Sequence, residues 1–189
     1  MASVLSTPQQ VQAFLRQHPY NEEESGETVR SAEAALRAKT WHCLEATFIA
    51  AAILEIHGYP PILLSMESRD GLDHVLYVFK EENRWGAISR SRDDGLHGRR
   101  PHFRSLRDLV WSYYDHYIDR TGKITGYQVA HLDEIQSDWR ASSKNLWQAE
   151  QYLIDLKHIP LKSSQHRYKN VYRRVVKQKE ILPPEDSWW

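Results

Sequence analysis

Apolar positions along the chain fall into blocks of helical period, interrupted in the middle by shorter runs that read as strands. Thr7-Pro8 places a capping hydroxyl before a proline at the first helical position, and Val11, Phe14 and Leu15 then mark one face. This predicts a short helix ending near His18-Pro19. Asn21 to Glu27 is acidic and contains Gly26, which predicts a solvated loop. Over Thr28 to Ala38 the residues Val29, Ala32, Ala35 and Leu36 share a face, predicting a second helix that breaks at Lys39-Thr40. Next comes the most apolar block, with Ala46, Phe48, Ile49, Ala51, Ala52, Ile53, Leu54 and Ile56. No proline interrupts it, and Gly58 with Pro60 and Pro61 closes it, so a mostly buried helix is expected.

The period then changes. Ile62-Leu63-Leu64, Asp73 to Phe79 and Trp85 to Ser89 read as three strands, the second and third paired across the turn Lys80–Arg84. Arg90 to Pro101 holds two glycines, a proline and several charges, and predicts a long surface loop beside the sheet, a place where substrate rims form. Ser105 caps a helix with Asp108 in capping-box register and Leu106, Leu109, Val110 and Tyr113 facing the core. After the turn Thr121-Gly122-Lys123, Ile124 to Leu132 predicts a further strand. A helix capped by Ser143 should follow, with Leu146, Trp147, Ala149, Leu153, Ile154 and Leu156 as its stripe and a stop at His158-Ile159-Pro160. From His166 to Lys179 basic residues alternate with Tyr168, Val171, Tyr172, Val175 and Val176. The closing Trp188 and Trp189 are expected to dock on a neighbouring surface, because bare indoles in water are costly.

With 189 residues the chain suits one domain with a proper core. We expect a single domain over 1–165, with a core of about 28–135, a helical appendage of about 136–165, and a basic tail over 166–189. Lys plus Arg and Asp plus Glu number 25 each, so no global field favours nucleic acid. The basic tail could meet an anionic surface, but a solvated edge of a helix or strand is the simpler expectation. The N-terminus has neither a basic n-region nor a long apolar h-region, and the run Ala46–Ile56 is too short to span a bilayer. A cytoplasmic protein without a membrane partner is therefore expected. The sequence leaves its oligomeric state open.

Composition matters most at one residue. Cys43 is the single cysteine, which excludes an internal disulfide. It falls at the start of the apolar helix, where unpaired backbone N–H groups favour thiolate over thiol. A free cysteine in such a setting is commonly just a small buried hydrophobe. What changes the picture is His74, near the start of the middle strand. A helix opening with Cys, packed on an antiparallel sheet bearing His, can bring sulfur and imidazole within hydrogen-bond reach. His42 is a rival base, set aside here because a neighbouring side chain on a helix points to another face. A metal site joining Cys43 to His42, His74, His97 or His102 lacks the spacing of a zinc centre, and no cofactor is implied.

Trp41-His42-Cys43, the Ala-rich helix, His57-Gly58-Tyr59-Pro60-Pro61, Asp73 to Phe79 and Trp85 to Ser89 together resemble the core of the transglutaminase-like superfamily, within the papain-like cysteine enzymes. The resemblance spans Thr40 to Ser91, roughly a quarter of the chain. It implies an α+β fold in which the Cys-bearing helix packs on an antiparallel sheet with flanking helices. It also implies a cysteine-dependent hydrolase or acyltransferase that acts on a peptide, protein or small amide or ester through a thioester on Cys43. His74 would be the base. Members usually place Asp four residues beyond an aromatic like Trp85, to orient the imidazole; here that position is Ser89, with Asp93 and Asp94 close by in sequence. Trp41 would form a substrate wall or donate its indole N–H to an oxyanion, beside the Cys43 N–H. The departure at Ser89 also admits an impaired member that binds a protein or anionic partner without catalysis.

Overall fold

The computed structural model describes residues 5–71, 73–118 and 122–181. Three helices come first: α1 (Pro8–Arg16), α2 (Ala32–Ala38) and α3 (Cys43–Glu55). Strands β1 (Ile62–Ser68), β2 (His74–Glu81), β3 (Arg84–Ile88) and β4 (Arg99–Phe103) follow, then α4 (Leu106–Trp111) and β5 (Ile124–His131). The chain continues through α5 (Trp147–Asp155), β6 (Ile159–Pro160) and α6 (Gln165–Ile181). The strands form one antiparallel sheet in the order β4-β3-β2-β1-β5-β6, giving an α+β fold. Among the described residues no helix is long and apolar enough to cross a membrane.

Both faces of the sheet are covered, which explains why its strands do not alternate cleanly between apolar and polar. Leu63, Val75, Tyr77, Phe79, Ile88 and Ala130 point into a core shared with α1, α2, α3 and α5. Leu64, Met66, Leu76, Val78, Ile124 and Tyr127 point into a second core, closed by α4 and by Val171 of α6. The basic segment from His166 is thus a helix whose apolar edge packs on the sheet. Helix α3 is apolar nearly all round, as a helix enclosed by sheet and other helices should be.

Local chemistry accounts for most boundaries. Thr7 accepts the Gln10 N–H, and the Gln10 side chain returns the bond to the cap backbone. The β2–β3 hairpin turns on Glu82 and Asn83, both at positive φ (45° and 61°), the pair of left-handed residues that matches strand twist. Helix α2 begins at Ala32 and not at Thr28, because residues 28–30 stay extended to bond elsewhere: the Val29 N–H donates to Asn145 and the Arg30 N–H to Glu45. Helix α5 likewise begins at Trp147, four residues past the expected Ser143 cap, and Leu146 offers it no capping side chain. The expected long loop after β3 contains an edge strand, β4, paired with β3 through Trp85↔Phe103 and Ala87↔Arg99. Its charged, proline-bearing sequence hides it, since an edge strand need not bury alternate residues. Trp188 and Trp189 lie outside the described residues.

The start of α3 is held by a buried carboxylate. Glu45 is fully buried and accepts from the Thr28 hydroxyl (3.0 Å), the Arg30 N–H (3.0 Å), Arg30 Nε (2.7 Å), Arg30 Nη2 (2.8 Å) and the His42 N–H (3.3 Å). Burial alone would raise its pKa, but the Arg30 hydrogen bonds and nearby charges outweigh burial and hold it below the usual carboxylate value. Removing one partner of such a pair leaves the other uncompensated. Glu45→Ala should therefore lose about 3–5 kcal/mol of unfolding free energy, read by urea denaturation. A loss like that of an exposed substitution would show that the pair does not anchor the helix.

Candidate active site

Cys43 is the first residue of α3 and is partly exposed at the floor of a cleft of about 210 Å³. The cleft is also lined by Tyr20, His74, Asp93, Leu96 and Tyr117, among others. As the first helical residue, Cys43 has a backbone N–H with no intrahelical acceptor. His74 opens β2, opposite Met66 of β1, and is nearly buried. Its Nε2 lies 2.9 Å from Ser89 Oγ and 3.0 Å from the Leu96 carbonyl oxygen. A carbonyl only accepts, so the Leu96 contact requires the proton on Nε2 and leaves Nδ1 as the free nitrogen. Ser89 and the main chain of Leu96 thus occupy the position from which a third group would orient the ring.

The sulfur feels two imidazoles. Burial raises the Cys43 pKa, but hydrogen bonds from His42 and His74, and their charge, outweigh it and bring the thiol to about 5. That His42 takes part overturns the expectation that it faces away. His42 is the N-cap of α3 and not a helical residue, so its ring folds back over the first turn. Its Nδ1 accepts the Leu44 N–H (3.3 Å), and its Nε2 sits 2.8 Å from the Thr28 carbonyl and 3.6 Å from Glu45. Burial opposes charge on this ring, yet Cys43 and Glu45 overcome it and raise the pKa to about 9. An imidazolium has no lone pair for the cap, so charge on His42 and the Leu44 bond are alternatives. His74 lines the cleft, whereas His42 is not among its lining residues.

Trp41 is placed differently from the sequence-based expectation. It is fully buried, and its indole N–H donates to the Leu15 carbonyl (3.3 Å), so it neither lines the cleft nor offers an oxyanion donor. Tyr20 takes the place foreseen for Trp41 at the cleft wall. Burial and the neighbouring sulfur raise its pKa, so its hydroxyl keeps its proton. Asp93 and Asp94 do not reach His74: Asp93 accepts the Gly95 N–H (2.7 Å), and Asp94 meets His97 (3.1 Å) and Arg16 (3.6 Å). Among the described residues no group of three or more His, Cys, Asp and Glu side chains could hold a metal ion.

Sequence reading missed Gln12. From α1 its amide spans the end of β3, accepting the Ser89 N–H (2.9 Å) and donating to the Ser89 carbonyl (2.9 Å), as a neighbouring strand would. It fits because residue 98 is Gly: a Cβ there would lie 2.5 Å from the Ala87 carbonyl and would strike the Gln12 amide. Only its facing position on α1, next to the apolar stripe, hinted at a role. Sequence reading also passed over Glu45, which a carboxylate three residues beyond His42 in an apolar block could have signalled.

Two outcomes test this geometry. The rate of Cys43 alkylation by iodoacetamide should rise with pH through a midpoint near 5, since the thiolate is present above that pH and lost below it. In His74→Ala and in His42→Ala the midpoint should move up, toward the ordinary value of about 8.5. Gln12→Ala should free the Ser89 main chain and cost about 1–3 kcal/mol of stability in thermal or urea unfolding. No protein-family model matches this chain, and no curated protein does either.

Proposed function

We propose that the chain is a cysteine-dependent hydrolase or acyltransferase that acts on an amide or ester through a thioester at Cys43, with a transglutaminase-like, papain-related architecture. The observation that carries this reading is a partly exposed thiol brought to about 5, at a helix start, in a cleft that also contains His74. A structural cysteine in apolar surroundings is shifted the other way. The order of elements supports the architecture: nucleophile at a helix start, imidazole at the head of a packed antiparallel strand, orienting group at the end of the next.

In this mechanism the thiolate attacks the carbonyl carbon and the C–S bond forms. Charge collects on the carbonyl oxygen, near the Cys43 N–H and the Tyr20 hydroxyl. His74, which takes the Cys43 proton on Nδ1 as the thiolate forms, delivers that proton to the leaving amine or alcohol as its bond to carbon breaks. Water or an amine then attacks the thioester, His74 takes its proton, and the thiolate leaves. His42 has a separate part: held by Thr28 and Glu45, it stabilises the thiolate charge without reaching the substrate. Ser89 carries no charge, so it supports an imidazolium less than a carboxylate would. That feature favours the second reading, an impaired relative that binds a protein or anionic partner.

The test is covalent capture. Incubation with activated esters and with peptide amides should add one acyl group at Cys43, seen by intact mass and removed by hydroxylamine. Cys43→Ser should form no thioester, and His74→Ala should slow acylation by about 10²–10⁴-fold. Ser89→Ala should slow it far less, because the Leu96 carbonyl still holds the Nε2 proton. No adduct with any acyl donor, together with a thiol that ionises at its ordinary pH, would leave the binding module as the surviving reading.

A further inference from the structure

A second cavity, of about 540 Å³, opens between α4 and the segment leading into α6 and shares no lining residue with the Cys43 cleft. Arg107, Lys162 and Arg167 line it, and Asp108 is the one carboxylate among its described lining residues. None of these three cations has a carboxylate partner within ion-pair distance among the described residues. In a chain of zero formal net charge, three unpaired cations around one cavity are a local excess that attracts an anion.

The walls are built rather than loose. Trp111 lies under two guanidiniums, Arg167 at 4.0 Å from its ring centroid and Arg107 at 5.7 Å. Trp111 in turn packs on buried Tyr114 with ring centroids 4.6 Å apart. The Tyr114 hydroxyl donates to Ser163 Oγ at 2.8 Å, so the Ser163 oxygen is already an acceptor and its own proton is free to be given away. Ser164 is used in the same sense: its Oγ accepts the Arg167 N–H at 3.1 Å. Two hydroxyl donors and three cations therefore border one space.

We propose that this cavity binds a phosphate-type oxyanion, free or as the monoester end of a small molecule. A planar carboxylate has two oxygens to satisfy; a tetrahedral phosphate has three or four, which matches two hydroxyls and three cationic groups better. Guanidiniums held over an indole are partly positioned before the anion arrives, which lowers the cost of ordering them. This site is independent of the chemistry at Cys43 and does not depend on that reading.

Phosphate binding to the full chain is followed by phosphorus NMR and by thermal unfolding, with sodium chloride at matched ionic strength as control. Inorganic phosphate and phosphoserine form the two arms, and tighter binding of the second identifies a monoester. The expected result is saturable binding and a raised unfolding temperature that chloride does not reproduce. Lys162→Ala and Arg167→Lys should each weaken binding about tenfold. Ser163→Ala should weaken it less, while a patch acting by charge alone would not respond to that change. Lys162 is exposed, so its variant decides the matter even if changes at Arg167 disturb the packing on Trp111. Stabilisation that follows ionic strength alone, or saturable binding unmoved in Lys162→Ala and Arg167→Lys alike, overturns the proposal.

Discussion

The buried ion pair between Glu45 and Arg30 is the constraint on which the rest of the site depends. Its carboxylate sits at the third position of α3 and gathers donors from Thr28, Arg30 and His42. These bonds keep residues 28–30 extended beside the helix start and draw in the His42 backbone. They also set a negative charge behind the His42 ring, which favours the imidazolium that in turn favours the thiolate. A carboxylate near a helix N-terminus is well placed with respect to the dipole, so the arrangement adds little strain of its own. Charge alternates from Arg30 to Glu45 to His42 to Cys43, and each member offsets the desolvation of the next.

The sheet supplies the other half of the geometry. Pairing of β1 with β2 puts His74 opposite Met66, and pairing of β2 with β3 puts Ile88 opposite Tyr77. Ser89 follows directly after β3 and so meets His74 from the adjacent strand. Gln12 then fastens the Ser89 main chain from α1, so a helix far away in sequence steadies the group that steadies the imidazole. The Leu96 carbonyl, from the segment after β3, decides which nitrogen of His74 is left free.

Much of this was legible in sequence. The apolar block from Ala46 and the stop at Gly58 marked α3, and Cys43 marked its first turn. The runs from Asp73 and Trp85 marked a hairpin, with His74 at the head of one strand. What misled was distance along the chain taken as a guide to direction in space. His42 was set aside because adjacent helical residues diverge, but it caps the helix and is not part of it. Trp41 looked like a cleft wall because it neighbours Cys43, yet its indole is buried against α1. β4 was concealed by charge, and the packing of the basic run from His166 on the sheet by the small number of apolar residues it needs.

By itself the sequence determined the α+β class, the helix that opens with Cys43 and the strand that opens with His74, because apolar period and stop residues are local properties. Which groups meet the sulfur and the imidazole was decided only by tertiary structure. Strand register, the fold-back of the His42 ring and the approach of Gln12 and Leu96 depend on contacts between residues far apart in the chain. Hydrogen bonds of that kind leave no periodic trace, since each requires only one residue of suitable chemistry at one point in space.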